Sequence, residues 1–152
     1  MASVAFRGYS ARELATCLAL FDGNCPDYFA PNERHDYEEF LRAGAPGYLL
    51  CERDSRIVGA FGLGREPGGL RVQWIMISPD AQGTGLGTAM MTEALARAWS
   101  AGAQRLFIAA SHKSAPFFAR FGAHSLRSTP DGWGPGMHRI DMQLELTPLA
   151  TG

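Results

Sequence analysis

Nothing in the 152 residues approaches the run of roughly 18 apolar residues that a membrane span requires. The opening MASVAFRGYS carries no basic stretch followed by an apolar one, so no secretion signal is read and a cytoplasmic protein is expected. Neither sign of charge is in excess. Fourteen Lys and Arg against 15 Asp and Glu leave a formal net charge of -1, which removes the global field that draws a protein to nucleic acid or to anionic lipid. Cysteine is scarce: Cys17, Cys25 and Cys51 form an odd, widely spaced set without a C-x-x-C pair, which suits a reducing compartment better than a disulfide framework. The histidines, His35, His112, His124 and His138, lack the short pairings of zinc motifs, so no metal is expected. Repeats, low-complexity tracts and linkers are missing too, and residues 1–152 read as one domain, long enough to bury about two-thirds of its unfolded surface. These exclusions leave a small, local ligand.

What is present alternates between strand and helix periods. VAFRGY (Val4 to Tyr9) has a strand's period, and SARE offers Ser10 and Glu13 as a capping box for a helix to about Phe21. DGNCPDYFAPNE then breaks regular structure with Gly23, Pro26 and Pro31, before ERHDYEEFLRAG resumes a helical period that Gly44 ends. Next come GYLLCERDSRIVGAFGLG, a pair of strands hinged near Asp54 and Ser55, and GLRVQWIMIS, an apolar strand bounded by Gly69 and Pro79. A helix is predicted from about Gly85 to Ala101, followed by the strand QRLFIAA and the short helix SAPFFARF. HSLRST and MHRIDMQLEL read as the last strands, joined by the turn-rich PDGWGPG. The order alternates too irregularly for a doubly wound sheet, so the expected class is α/β, a mixed sheet flanked by helices on both faces.

The chemistry-bearing stretch is ISPDAQGTGLGTAMM, Ile77 to Met91. Gly83, Gly85 and Gly87 stand between a strand and a helix, where backbone without Cβ atoms meets the unpaired N–H groups of a helix N-terminus. That combination is an anion cradle for a phosphate or pyrophosphate. A Walker loop would require lysine at the helix entry, yet Gly87 is followed by Thr88 and Ala89. A dinucleotide fingerprint would require a third glycine at position 88 and a carboxylate near the end of the next strand, where LFIAAS has none.

QGTGLGT, from Gln82, resembles the Q/R-x-x-G-x-G/A signature of the GCN5-related N-acetyltransferases and sits where that family places it. FFARFGA (Phe117 to Ala123) is similar to the family's LYEKLGF segment, and the resemblance covers nearly the whole chain. It implies a mostly antiparallel sheet splayed between strands 4 and 5, with acetyl-CoA as co-substrate. Gln82, Gly83, Thr84, Gly85, Leu86, Gly87 and Thr88 would hold the pyrophosphate, and Ile75, Met76 and Ile77 would pair with the pantetheine arm. The activity implied is transfer of acetyl to an amine of a small molecule or peptide; homodimers are frequent in the family. The rival expectation is a non-catalytic acyl-CoA-binding module. The chain is also similar to a bacterial subgroup that shares FDxNxPxYFxPxE and PDGxxPG, here Phe21 to Glu33 and Pro130 to Gly136.

Acetyl transfer needs a neutral amine, a stabilised oxyanion and a proton for the departing thiolate. The tyrosine that commonly gives that proton in the family is Phe118 here, and the family's asparagine seven residues earlier is Ser111. Both positions are still expected to line the cofactor site, with Ser111 and the neighbouring His112 as replacement polar groups. The fourth strand, LRVQWIM, has no acid, which leaves Glu52, Asp141 and His138 as base candidates, His138 foremost by its ordinary pKa near 6.5. Alternation puts His138 and Asp141 on opposite faces of the last strand. The resemblance implies that FDGNCPDYFAP and PDGWGPG, with Phe21, Tyr28, Phe29 and Trp133, wall the acceptor site, and Asp22, Asp27 and Asp131 are expected to attract a cationic amine. No cysteine lies near a recognisable base, so transfer is expected to be direct.

Overall fold

The structure is a computed structural model and describes residues 3–146. Strand β1 (Val4–Gly8) leads into α1 (Leu14–Gly23) and α2 (Glu33–Arg42). The meander β2 (Tyr48–Arg53), β3 (Arg56–Glu66) and β4 (Gly69–Ile77) follows. Then come α3 (Leu86–Ser100), β5 (Arg105–Ser111), α4 (Ala115–Ala119), β6 (His124–Gly134) and β7 (Met137–Glu145). The seven strands form one sheet in the order β1-β2-β3-β4-β5-β7-β6, antiparallel everywhere except between β4 and β5. The expected mixed, mostly antiparallel sheet is the one found.

Alternation along the strands divides the core between the two faces of this sheet. Tyr48, Leu50 and Ala60 pack with Cys17, Phe21, Tyr37 and Leu41 of α1 and α2. Leu106, Ile108 and Ala110 of β5 turn the other way, onto Met91 and Ala98 of α3 and Phe118 of α4. Each fully buried aromatic or leucine contributes on the order of 1.5–3 kcal/mol. The β2–β3 hinge is a two-residue turn with Asp54 (φ 53°) and Ser55 (φ 63°) both left-handed, the geometry that matches strand twist in a tight hairpin.

Some local expectations fail for local reasons. The Ser10–Glu13 capping box does not form. Ser10 makes no side-chain cap, the first turn is a short 3-10 segment (Ala11–Glu13), and the Glu13 carboxylate accepts a hydrogen bond from Arg7 at 2.7 Å. The ion pair with the neighbouring strand displaces the cap. The penultimate strand runs past HSLRST to Gly134, because residues on both sides of PDGW pair with β7 and the register shifts between Thr129 and Gly134. No helix of the described residues is long and apolar enough to cross a membrane.

Candidate active site

The site begins where β4 and β5 part. They pair only through Leu70, Arg71 and Val72 against Leu106, Phe107 and Ile108. Beyond that point β4 is turned aside by a bulge: Ala60 faces Met76 and Gly62 faces Gln73, so Trp74 and Ile75 together oppose the single residue Phe61. Trp74 takes a left-handed φ of 48°, a strained conformation for a bulky residue. Two buried phenols hold it there. Tyr48 donates to the Trp74 carbonyl at 2.7 Å, and Tyr37, 2.8 Å from the Tyr48 oxygen, donates in turn to Tyr48. Burial pushes both phenols above their ordinary pKa, so they keep the protons this chain of hydrogen bonds requires.

The splay opens onto the glycine loop. Gly83 (φ 78°) and Gly85 (φ 86°) are left-handed, and a Cβ on either would meet nothing within 4 Å. Backbone conformation, rather than crowding, therefore demands glycine at both positions, and the space before their amides is open. α3 starts without a side-chain cap at Gly85, which leaves its first N–H groups without partners in the helix. Gly87 has a different role from the one its spacing suggests. A Cβ there would lie 2.8 Å from the Phe117 ring, so this glycine lets α3 approach α4. Asn24, 3% exposed, fixes the loop from behind. Its amide donates to the carbonyls of Leu20 (2.8 Å) and Ile77 (2.9 Å), and its oxygen accepts from Gln82 at 3.4 Å.

A cavity of about 740 Å³ runs from this loop through the splay. Ile75, Met76, Ile77, Gln82, Gly83, Gly85, Gly87, Thr88, Ser111 and Phe118 all line it. Thr84 and Leu86 do not: Thr84 donates to the Ala81 carbonyl and accepts from Arg53 at 3.1 Å, and the Leu86 side chain is buried in the core. His112 and His138 also stand outside the lining. Their rings pack against each other with centroids 4.6 Å apart, the His138 N–H donates to His112 Nδ1, and the Asp131 N–H donates to His138 Nδ1. The alternation of β7 brings Arg139 to the cavity instead. Ser111, buried, exchanges hydrogen bonds with Ser114, whose N–H donates to Ser111 Oγ at 3.1 Å.

The far end of the cavity is walled by two segments distant in sequence. Tyr28, Phe29 and Glu33 come from the turn before α2 and its first residue, and Trp133 comes from the end of β6. Asn32 donates to the Trp133 carbonyl at 2.7 Å, the Trp133 indole N–H donates to the Ala110 carbonyl at 2.9 Å, and Arg139 lies 4.8 Å over the Trp133 ring. The aspartates expected to attract an amine are elsewhere. Asp22 holds Arg34 at 2.8 Å, Asp131 accepts from the Gly136 N–H at 2.7 Å, and neither these nor Asp27 lines the cavity. Of the base candidates, Glu52 accepts from Arg7 at 3.0 Å and Asp141 from Arg139 at 3.0 Å, both outside the lining. The carboxylate that does line it, Glu33, escaped the sequence reading. An acid at the start of a helix reads as a dipole-favoured end residue, and its one signal was the final position of FDxNxPxYFxPxE.

A mixed sheet splayed beside a loop of free amides, with a continuous cavity between them, defines an acyl-CoA-type transferase fold. The chain belongs to the acetyltransferase (GNAT) family, whose model matches residues 17–123. The family uses acetyl-CoA as co-substrate. Among solved structures, a GNAT-family protein from Desulfovibrio desulfuricans is similar with a TM-score of 0.78 at 24% identity, covering 95% of this chain and 100% of its own. The Salmonella typhimurium protein yncA, solved with acetyl-CoA, gives 0.72 at 15% identity over 99% and 98%. N-acetylglutamate synthase from Neisseria gonorrhoeae, solved with coenzyme A and N-acetyl-glutamate, gives 0.76 at 19% identity, over 97% of this chain and 36% of that longer one. At these identities the likeness is one of fold. No curated protein matches the chain in sequence.

Proposed function

We propose that this chain is an acetyl-CoA-dependent N-acetyltransferase that moves acetyl directly to an amine of a small molecule or peptide. The observation that carries the reading is the continuity of one cavity past three different surfaces: the open backbone at Gly83, Gly85 and the start of α3, the parted strands β4 and β5, and the aromatic wall of Tyr28, Phe29 and Trp133. Bound acetyl-CoA would supply an activated thioester carbonyl. Gly83, Gly85 and the first amides of α3 would hold its pyrophosphate, since an anion needs convergent N–H donors and room, and both are present there. The backbone of Ile75, Met76 and Ile77 would pair with the pantetheine arm as an added strand, because the bulge at Trp74 leaves that edge without β5.

Ser111 is the member of the Ser111, His112 and His138 set that lines the splay, and its hydroxyl is the proposed polar group on the thioester side. Phe118 keeps the tyrosine's place but not its proton. It is buried among Phe117, Ala115 and Ala123. The leaving thiol, with an ordinary pKa near 8.5, departs without a dedicated acid at modest cost. Phe118 also supports the rival reading, an acyl-CoA-binding module without turnover. Calorimetric titration with acetyl-CoA, followed by thiol release over a panel of small primary amines and peptides with free N-termini, separates the two. Binding with transfer to any amine supports the enzyme. Binding without transfer to any of them supports the module, and absence of binding refutes both.

A further inference from the structure

The motif FDxNxPxYFxPxE ends on Glu33, and the structure puts the other polar members of that motif to structural use: Asp22 on Arg34, Asn24 on the carbonyls that fix the glycine loop. Glu33 differs. It is 5% exposed, and its Oε2 accepts the Ala30 N–H at 2.7 Å. No other hydrogen bond and no ion pair forms on its carboxylate among the described residues, and it is the one carboxylate among them that lines the cavity. Holding the Ala30 N–H requires only an oxygen, which glutamine would supply without burying an ionisable group.

The surroundings bear on what the second oxygen does. Asp36, on the same helix, is a like charge; from the preceding segment comes the Cys25 thiol, whose pKa Glu33 helps to raise. The cations that line the cavity lie on other elements: Arg71 on β4 and Arg139 on β7 are held by Glu66 and Asp141, while Lys113 and Arg120 flank α4. Desolvation pushes the Glu33 carboxyl up to about 7, against the pull of the Ala30 N–H. A carboxyl poised there gains and loses a proton readily at neutral pH.

Resting on the proposed acetyl transfer, we infer that Glu33 is the catalytic proton acceptor for the incoming amine, and that the acceptor is a primary amine arriving as its ammonium with a flat apolar body. The body would lie against Tyr28, Phe29 and Trp133, and the ammonium would meet Oε1 of Glu33. The carboxylate takes one proton from R–NH3+, leaving R–NH2 and the neutral acid. The freed lone pair forms the C–N bond as the C–S bonding pair leaves on sulfur, and the proton the nitrogen then sheds ends on the thiolate. Glu33 returns its proton to water. Ammonium and thioester thus give amide, thiol and one released proton.

The test uses the whole chain, phenethylamine and its carboxylate-bearing counterpart L-phenylalanine as probes, and Glu33→Gln as the variant. NMR follows the Glu33 side-chain carboxyl carbon through a pH titration with and without each amine. Thiol release gives kcat/KM against pH, and calorimetry gives acetyl-CoA affinity. We expect the carbon to titrate near 7 and to move when an amine binds. Glu33→Gln should keep its acetyl-CoA Kd within about threefold, yet lose at least about 100-fold in kcat/KM and the rising limb of the pH profile near 7. The inference is overturned if Glu33→Gln transfers within threefold of the parent, or if the carbon titrates near 4.5 and ignores both amines. Should neither amine be acetylated, the carbon titration decides alone. Loss of acetyl-CoA binding by the parent chain would instead refute the proposed function, and this inference with it.

Discussion

The two ends of the cavity are built by different means. The glycine-loop end is made of backbone: left-handed Gly83 and Gly85, the uncapped start of α3 and the β4 edge supply N–H and C=O groups, and side chains stay out of the way. The aromatic end is made of side chains, and its parts come from segments as far apart as Asn32 and Trp133, joined by a single hydrogen bond of 2.7 Å. A backbone-built surface recognises what every member of a family shares, whereas a side-chain-built one is free to change with the acceptor. Asn24 is the physical link between the ends, since it belongs to the α1–α2 segment and yet bonds the Ile77 carbonyl and Gln82.

This contrast is tested most severely at Gly85. Gly85→Asp places a negative charge in the amide cradle and a side chain at a φ of 86°, and should raise the acetyl-CoA Kd at least about 100-fold, near 3 kcal/mol. Aspartate tolerates left-handed backbone comparatively well, so the melting temperature should fall only a few degrees. An unchanged Kd in calorimetry would remove the loop from the site. Asn24→Leu cuts the link itself. The buried Leu20 carbonyl loses its side-chain donor and the part-buried Ile77 carbonyl keeps only Gln82, so chemical denaturation should show a loss of about 1–2 kcal/mol. Acetyl-CoA KM and amine KM should rise together; a rise in only one would mean that the ends are independent.

Glu33 allows a pH test confined to the aromatic end. Its folded pKa is raised from 4.5 to about 7, so the stability tied to its protonated form is complete below pH 4.5 and is lost as pH rises through 7. Glu33→Gln should therefore match the parent near pH 4 and exceed it by about 3 kcal/mol near pH 8.5, measured by urea denaturation at both values. A variant no more stable at high pH would show that the carboxyl is not held up by burial. The smallest effect is expected of Phe118→Tyr. A hydroxyl added among Phe117, Ala115 and Ala123 should cost about 1 kcal/mol and change the transfer rate less than about threefold. A large gain in rate would mean that unassisted departure of the thiol is costly and limits transfer.

The same contrast governs what could be read from the sequence. The cofactor loop was legible because a residue needing left-handed backbone has to be spelled as glycine, and because Gln82 and Thr88 bracket it locally. The Asp54–Ser55 hinge was legible for a similar reason, as short polar residues between two apolar runs. Gly87 looked the same as Gly83 and Gly85, but its need is set by Phe117, thirty positions away on α4, and spacing carries no trace of that contact. For β7 the alternation was plain and its direction was not. Only the sheet decides that Arg139, rather than His138, turns to the cavity. Glu33 was missed because its environment is assembled by Ala30, the α1–α2 turn and the loop carrying Trp133, and no local pattern separates a buried helix-start acid from a solvated one.

The central claim is that the loop at residues 82–88 and the splay beside it bind acetyl-CoA. The most direct measurement is a set of parallel thermal melts with acetyl-CoA, ATP and NAD. A ligand at 100 times its Kd stabilises by about 2.7 kcal/mol, which for a domain of this size is a shift of roughly 5 to 10 °C. That shift is expected with acetyl-CoA alone. No shift with acetyl-CoA, or a larger one with ATP or NAD, would contradict the claim.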